Sequence, residues 1–142
     1  MLDKKIRDIS IQLTAVLETQ KTAQLQDGFP SLQVRSNRIS RAIDILLTNK
    51  TKLQDAMIAD FGHRSRDLTN FADIASSVKA LRHARKHMRS WMRASRRHLE
   101  FPLGLIGASG KVKYQPKGIV GLISPWNFPI NLTFAPLAGI LA

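Results

Sequence analysis

Cysteine is missing from all 142 residues. Its absence removes a disulfide framework, a thiolate metal site and a thiol nucleophile together, and it leaves the redox compartment unread. Acids are scarce, with 10 Asp and Glu against 22 Lys and Arg and a formal charge of +12. A balance this basic suits nucleic acid or an anionic membrane surface as partner. It equally suits one part of a larger protein whose acidic part lies elsewhere. No apolar run opens the chain, because Asp3, Lys4, Lys5, Arg7 and Asp8 interrupt it. That excludes a secretory signal. Asp3, Asp8 and Glu18 argue against an organelle transit peptide, so the sequence reads as cytoplasmic. Internal repeats and low-complexity tracts are also lacking.

Charge itself is lacking from Gly118 to Ala142. The stretch is long enough to cross a bilayer. Pro125, Pro129, Pro136, Asn127 and Asn131 would, however, leave polar groups unpaired in lipid. A core strand and core helix of a larger α/β domain account for it better, and no membrane partner is expected. The helix in this stretch reaches Ala142 without a cap or polar exit, so the expectation is an incomplete domain. Such a chain should self-associate through the strand edge at 118–123 and the helix at 130–142.

Leu2, Ile6, Ile9, Leu13, Val16 and Leu17 recur at three- and four-residue intervals, which predicts a helix over about 2–20. Asp27–Ser31 is turn chemistry, and Ser31 is placed to cap the next helix. Ile39, Ile43, Leu46, Leu53 and Met57 predict helices over 32–48 and 50–60, with Asn49 capping the second and Gly62 ending it in a left-handed C-cap. Asp67 is expected to cap the longest helix, which carries Phe71, Ile74, Val78, Leu81, Met88 and Met92 and runs to about 96, with Arg85 where an apolar residue is due. Leu99–Gly104 and Lys111–Gln115 read as strands about a turn at Gly107–Gly110. Ile119–Ile123 reads as a strand buried on both faces. Ile130–Ala142 reads as a helix with Pro129 in its first turn and Pro136 as a kink.

The run Tyr114–Pro129, with Pro125-Trp126-Asn127-Phe128-Pro129 after a glycine-containing apolar strand, resembles the aldehyde dehydrogenase superfamily. Asn131-Leu132-Thr133 and Pro136-Leu137-Ala138-Gly139 look like its branch with short N-termini, which includes coniferyl-aldehyde and fatty-aldehyde dehydrogenases. Arg38, the turn Asp60–Ser65 and the helix ending in His87–Met92 are similar to coniferyl-aldehyde dehydrogenases in particular. The resemblance implies an α/β, aldehyde dehydrogenase-like fold. Residues 1–98 would be an N-terminal helical region, 99–116 strands of a β oligomerisation arm, and 117–142 the incomplete start of a Rossmann-like cofactor domain. It further implies an aldehyde substrate, NAD or NADP as cofactor, and a homo-oligomer formed through the arm. The family's catalytic Cys and Glu match nothing here, so the chain alone is expected to be inactive.

Asn127 carries the chemistry in this account. Thiolate attack on an aldehyde builds negative charge on oxygen, and the Asn127 amide is similar to one donor of the family's oxyanion hole. A fixed donor aimed at developing charge contributes on the order of 3 kcal/mol. Spacing alone also allows Asn127 to be the N-cap of the following helix. Ile123, Ser124, Pro125 and Trp126 would line the cofactor side of the crevice, as the resemblance implies, while Trp126 is open to a second role as a core aromatic.

Two other features of the sequence point to weaker alternatives. His83 and His87 have a metal-ligand spacing, but Arg82, Arg85, Lys86 and Arg89 surround them and no acid completes a set. No metal is expected. The basic residues from Lys79 to Arg97 could bind phosphate backbones, yet only Trp91 offers a stacking surface. The alternative function is a small basic protein binding nucleic acid or an anionic membrane; the expectation is that neither is a partner.

Overall fold

In the computed structural model the backbone is described for residues 2–142 and the side chains from residue 5 onward. The expected contribution of Leu2 to the first apolar stripe therefore lies outside the described side chains. Two compact units are present: residues 1–30 with 115–121, and residues 31–114 with 122–142.

The first unit is built on α1 (Leu2–Asp27), longer than the spacing suggested. Its apolar stripe, Ile6, Ile9, Leu13, Val16 and Leu17, is exposed. Gly118, at φ +98°, passes so close to the Gln24 side chain that a Cβ there would lie 2.7 Å from its amide nitrogen. The end of that exposed side chain can swing aside, so it is the dihedral that calls for glycine here.

The second unit holds the core. Helix α2 (Leu32–Thr48) starts where Ser31 accepts a bond from the Val34 N–H at 3.3 Å, as the sequence suggested. Helix α3 (Lys50–Phe61) ends at Gly62, whose φ of +72° and N–H bond to the Ile58 carbonyl satisfy the last turn. Asn49 does not cap α3 with its side chain. Its amide turns back to the Ile45 carbonyl at 2.9 Å and closes α2 instead.

The next helical run begins at α4 (Arg66–Leu68), and its cap is Ser65, not Asp67: the Ser65 hydroxyl accepts from the Leu68 N–H at 3.0 Å. The run continues through a π-helical segment, Thr69–Ala75, into α5 (Ser76–Trp91). A π turn closes i to i+5 and holds more residues than an α turn. The three-four pattern that placed Phe71 on the buried line consequently slips there. Phe71 is 80% exposed, while Thr69, Asp73 and Ser77 turn inward. Ile74, late in the segment, is buried, and beyond it Val78, Leu81, Ala84 and Met88 are buried in register. Arg85 stays outside and donates to the Ser40 hydroxyl at 2.9 Å.

Helix α5 stops at Trp91, short of the expected 96, because Ser95–Arg97 (β1) pairs antiparallel with Gly110–Val112 (β2). This two-stranded ladder is displaced from the pairing the sequence suggested, and residues 101–107 between its strands are turn, not strand. Arg96 faces Lys111 across it, a like-charge pair that weakens so short a ladder. The strand expected over 119–123 is not formed. A strand needs a neighbour for its N–H and C=O groups, and within the described residues no ladder pairs with this segment.

Helix α6 (Pro129–Leu141) has Pro129 in its first turn and continues through Pro136, which adds no N–H to the ladder. It packs on α5, α2 and the π segment. Ile130 and Ala138 join Ile39, Ile43, Leu46, Ile74, Leu81 and Met88 in one apolar cluster. Arg35 donates to the Ala142 carbonyl, placing a cation at the C-terminal end of α6 where the helix dipole favours one. Arg38, singled out from the sequence, is exposed on α2. Among the described residues no helix is long and apolar enough to cross a membrane.

Candidate functional site

The chain enters α6 through Ile123–Phe128, and all five residues singled out from the sequence sit on this approach. Ile123 is 98% exposed and Trp126 85% exposed, so Trp126 is not a core aromatic. Pro125 is exposed and Ser124 half-buried. The Thr133 hydroxyl donates to the Pro129 carbonyl at 2.6 Å, which leaves its oxygen to accept from Ser124 at 2.7 Å. That pair ties the approach to the first turn of α6.

Asn127 is exposed. It is not the N-cap: that position belongs to Phe128, whose side chain makes no capping bond. The reason lies in a group that sequence reasoning missed. Asp73, 0% exposed, accepts from the Asn131 N–H at 3.0 Å. A carboxylate from the π segment thus caps α6 from outside its own sequence, meeting a free first-turn N–H and the positive end of the helix dipole.

Asp73 is balanced by Arg64, 8% exposed, with Nη2 to Oδ2 at 2.5 Å. The other terminal nitrogen of Arg64 donates to the Asn127 carbonyl at 2.6 Å. The guanidinium lies 4.6 Å from the Phe128 ring centroid and 5.1 Å from that of Phe61, distances at which cation–π attraction operates. Its Nε has no partner among the described residues. The available signal in the sequence was one acid, Asp73, beside Ile74 on the inward face of a helix that is otherwise basic beyond it.

Elsewhere the His83 and His87 rings lie tilted at 33° with centroids 4.4 Å apart, and His87 and Trp91 stack at 6.2 Å. Among the described residues no group of three or more His, Cys, Asp or Glu is placed to hold a metal ion. Lys79, Arg82, Arg85, Lys86 and Arg89 are exposed along α5.

Comparison with known proteins gives a consistent result. Residues 12–142 match the aldehyde dehydrogenase family. A probable coniferyl aldehyde dehydrogenase of Caulobacter vibrioides is 49% identical over 129 residues, covering 89% of this chain and 26% of that protein. A coniferyl aldehyde dehydrogenase of Pseudomonas sp. strain HR199 is 47% identical over 131 residues, covering 92% of this chain and 26% of that protein. The solved substrate-bound Staphylococcus aureus AldH superposes with a TM-score of 0.77 at 21% identity, over 89% of this chain and 27% of that one. The last likeness speaks for the fold. The chain spans about a quarter of the length of the curated relatives it matches.

Proposed function

This chain belongs to the aldehyde dehydrogenase family, and from that premise we propose that it is the N-terminal part of an NAD(P)-dependent enzyme oxidising an aldehyde to its acid. Coniferyl aldehyde is the leading substrate candidate, on the names of the two relatives just described. In the proposed whole, residues 1–98 form the helical region, 99–116 belong to an arm that joins subunits of a cytoplasmic homo-oligomer, and 117–142 open the cofactor domain.

One observation carries the site assignment: the Asn127 side chain is exposed while its own carbonyl and the Asn131 N–H that follows are held by buried charge. When a thiolate from elsewhere in the enzyme adds to the aldehyde carbon, the carbonyl oxygen becomes negative. The Asn127 amide then donates to that oxygen without having to reorganise, which is where an enzyme gains most from a fixed dipole. Ile123 and Trp126 offer exposed apolar surface, and residues 122–125 an irregular main chain without ladder partners among the described residues. These suit a ligand with flat rings and sugar hydroxyls, so Ile123, Ser124, Pro125 and Trp126 are assigned to the cofactor. When bound, NAD or NADP supplies the hydride acceptor.

The test is aldehyde-dependent NAD(P)H formation. Asn127→Ala in the complete dehydrogenase should lower kcat by about a hundred- to a thousand-fold with little change in KM. The cysteine-free chain by itself should show no turnover. An unchanged kcat in the variant, or turnover by the chain alone, would remove the assignment.

A further inference from the structure

We propose that Arg64 and Asp73 are positioning residues for Asn127, acting as one buried clamp that sets the direction of its amide. The inference rests on the assignment of Asn127 as the donor to the aldehyde oxygen. Three anchors hold the main chain from that residue's carbonyl onward. Its own carbonyl is bound by Arg64 Nη1 at 2.6 Å, the Phe128 ring lies against the same guanidinium at 4.6 Å, and the Asn131 N–H is held by Asp73 at 3.0 Å. None of the three uses the Asn127 side chain.

The forked guanidinium is essential to this arrangement. One nitrogen meets Asp73 and the other meets the Asn127 carbonyl, so a single planar group fixes the loop relative to the helix that follows. A lysine has one nitrogen on a flexible stem and cannot reproduce the fork. The π segment completes the device, because it turns Asp73 inward beneath the start of α6. The exposed pair Arg66–Asp55, at the same 2.5 Å, touches neither Asn127 nor α6 through any bond and provides a control.

The experiment is nuclear magnetic resonance on the isotope-labelled chain, which reads position and needs no turnover. In Arg64→Lys the Asp73 charge remains balanced, so the Asn131 N–H should keep its protection. The Asn127 side-chain amide signals should move and broaden. In Asp73→Asn the Asn131 N–H should exchange about tenfold faster, the loss of one charge-assisted bond, while the Leu81 N–H in the core changes less. Asp55→Asn should do neither.

Unmoved Asn127 signals in Arg64→Lys would overturn the proposal. So would equal acceleration at Asn131 and Leu81 in Asp73→Asn, which is the signature of a pair that merely supports the fold. If Asp73→Asn does not fold, Arg64→Lys decides alone, and loss of folding in both variants would also count against positioning. Because no catalysis is measured, failure here is separable from failure of the Asn127 assignment, which the kcat of Asn127→Ala decides.

Discussion

The helix Leu2–Asp27 and the run Arg66–Trp91 both repeat apolar residues every three or four positions, yet Leu13 is 65% exposed and Leu81 is fully buried. The pattern is the same; the surroundings differ. The Arg66–Trp91 run has α2 and α6 to pack against inside its own unit. The unit of α1 adds only residues 115–121. Periodicity reports that a helix has an apolar face. Whether that face contributes to stability depends on a second surface arriving from elsewhere in the chain.

Mutations that probe each side of this contrast should differ widely in effect, and urea unfolding of the chain measures all of them. The largest loss is expected for Asp73→Ala, which strands a buried guanidinium and uncaps α6: about 3–5 kcal/mol. A loss below about 1 kcal/mol would show the pair to be solvated, since that is the scale of exposed pairs. Leu81→Ala should follow at about 2–5 kcal/mol, through lost transfer energy and a residual cavity. Leu13→Ser should lie within about 0.5 kcal/mol of the parent, as for exposed positions generally. A larger loss there would mean that α1 buries its stripe in solution and that the contrast is false.

Much of the helical framework was legible beforehand. The spacing of Ile39, Ile43 and Leu46, the hydroxyl of Ser31 and the glycine at 62 act locally, within a turn or two, and a reader of the sequence can apply the same physics. The family motif around Pro125–Pro129 was legible as well, and the comparisons bear out the family. What escaped is non-local. The cap of α6 comes from residue 73 and the hold on Asn127 from residue 64, and no spacing rule joins positions so far apart. The strand expected at 119–123 failed for a related reason: its apolar run is real, but a ladder requires a partner that composition does not reveal. Phe71 was misplaced because a π turn changes the count of residues per turn, and nothing in Thr69–Ala75 announces one.

That extra residue behaves as an angular setting. Each residue of an α-helix advances the side chains by roughly 100° around the axis. Deleting one position between Thr69 and Ala75 would hardly shorten the helix. It would let an α turn close in place of the π turn, so the stretches on either side would keep nearly their present phase while the side chains within the segment, Asp73 among them, changed the face they present. A deletion in these seven residues therefore acts on which side chains face inward and not on where the flanking turns lie, and the hold of Asp73 on the start of α6 should fail before the fold does.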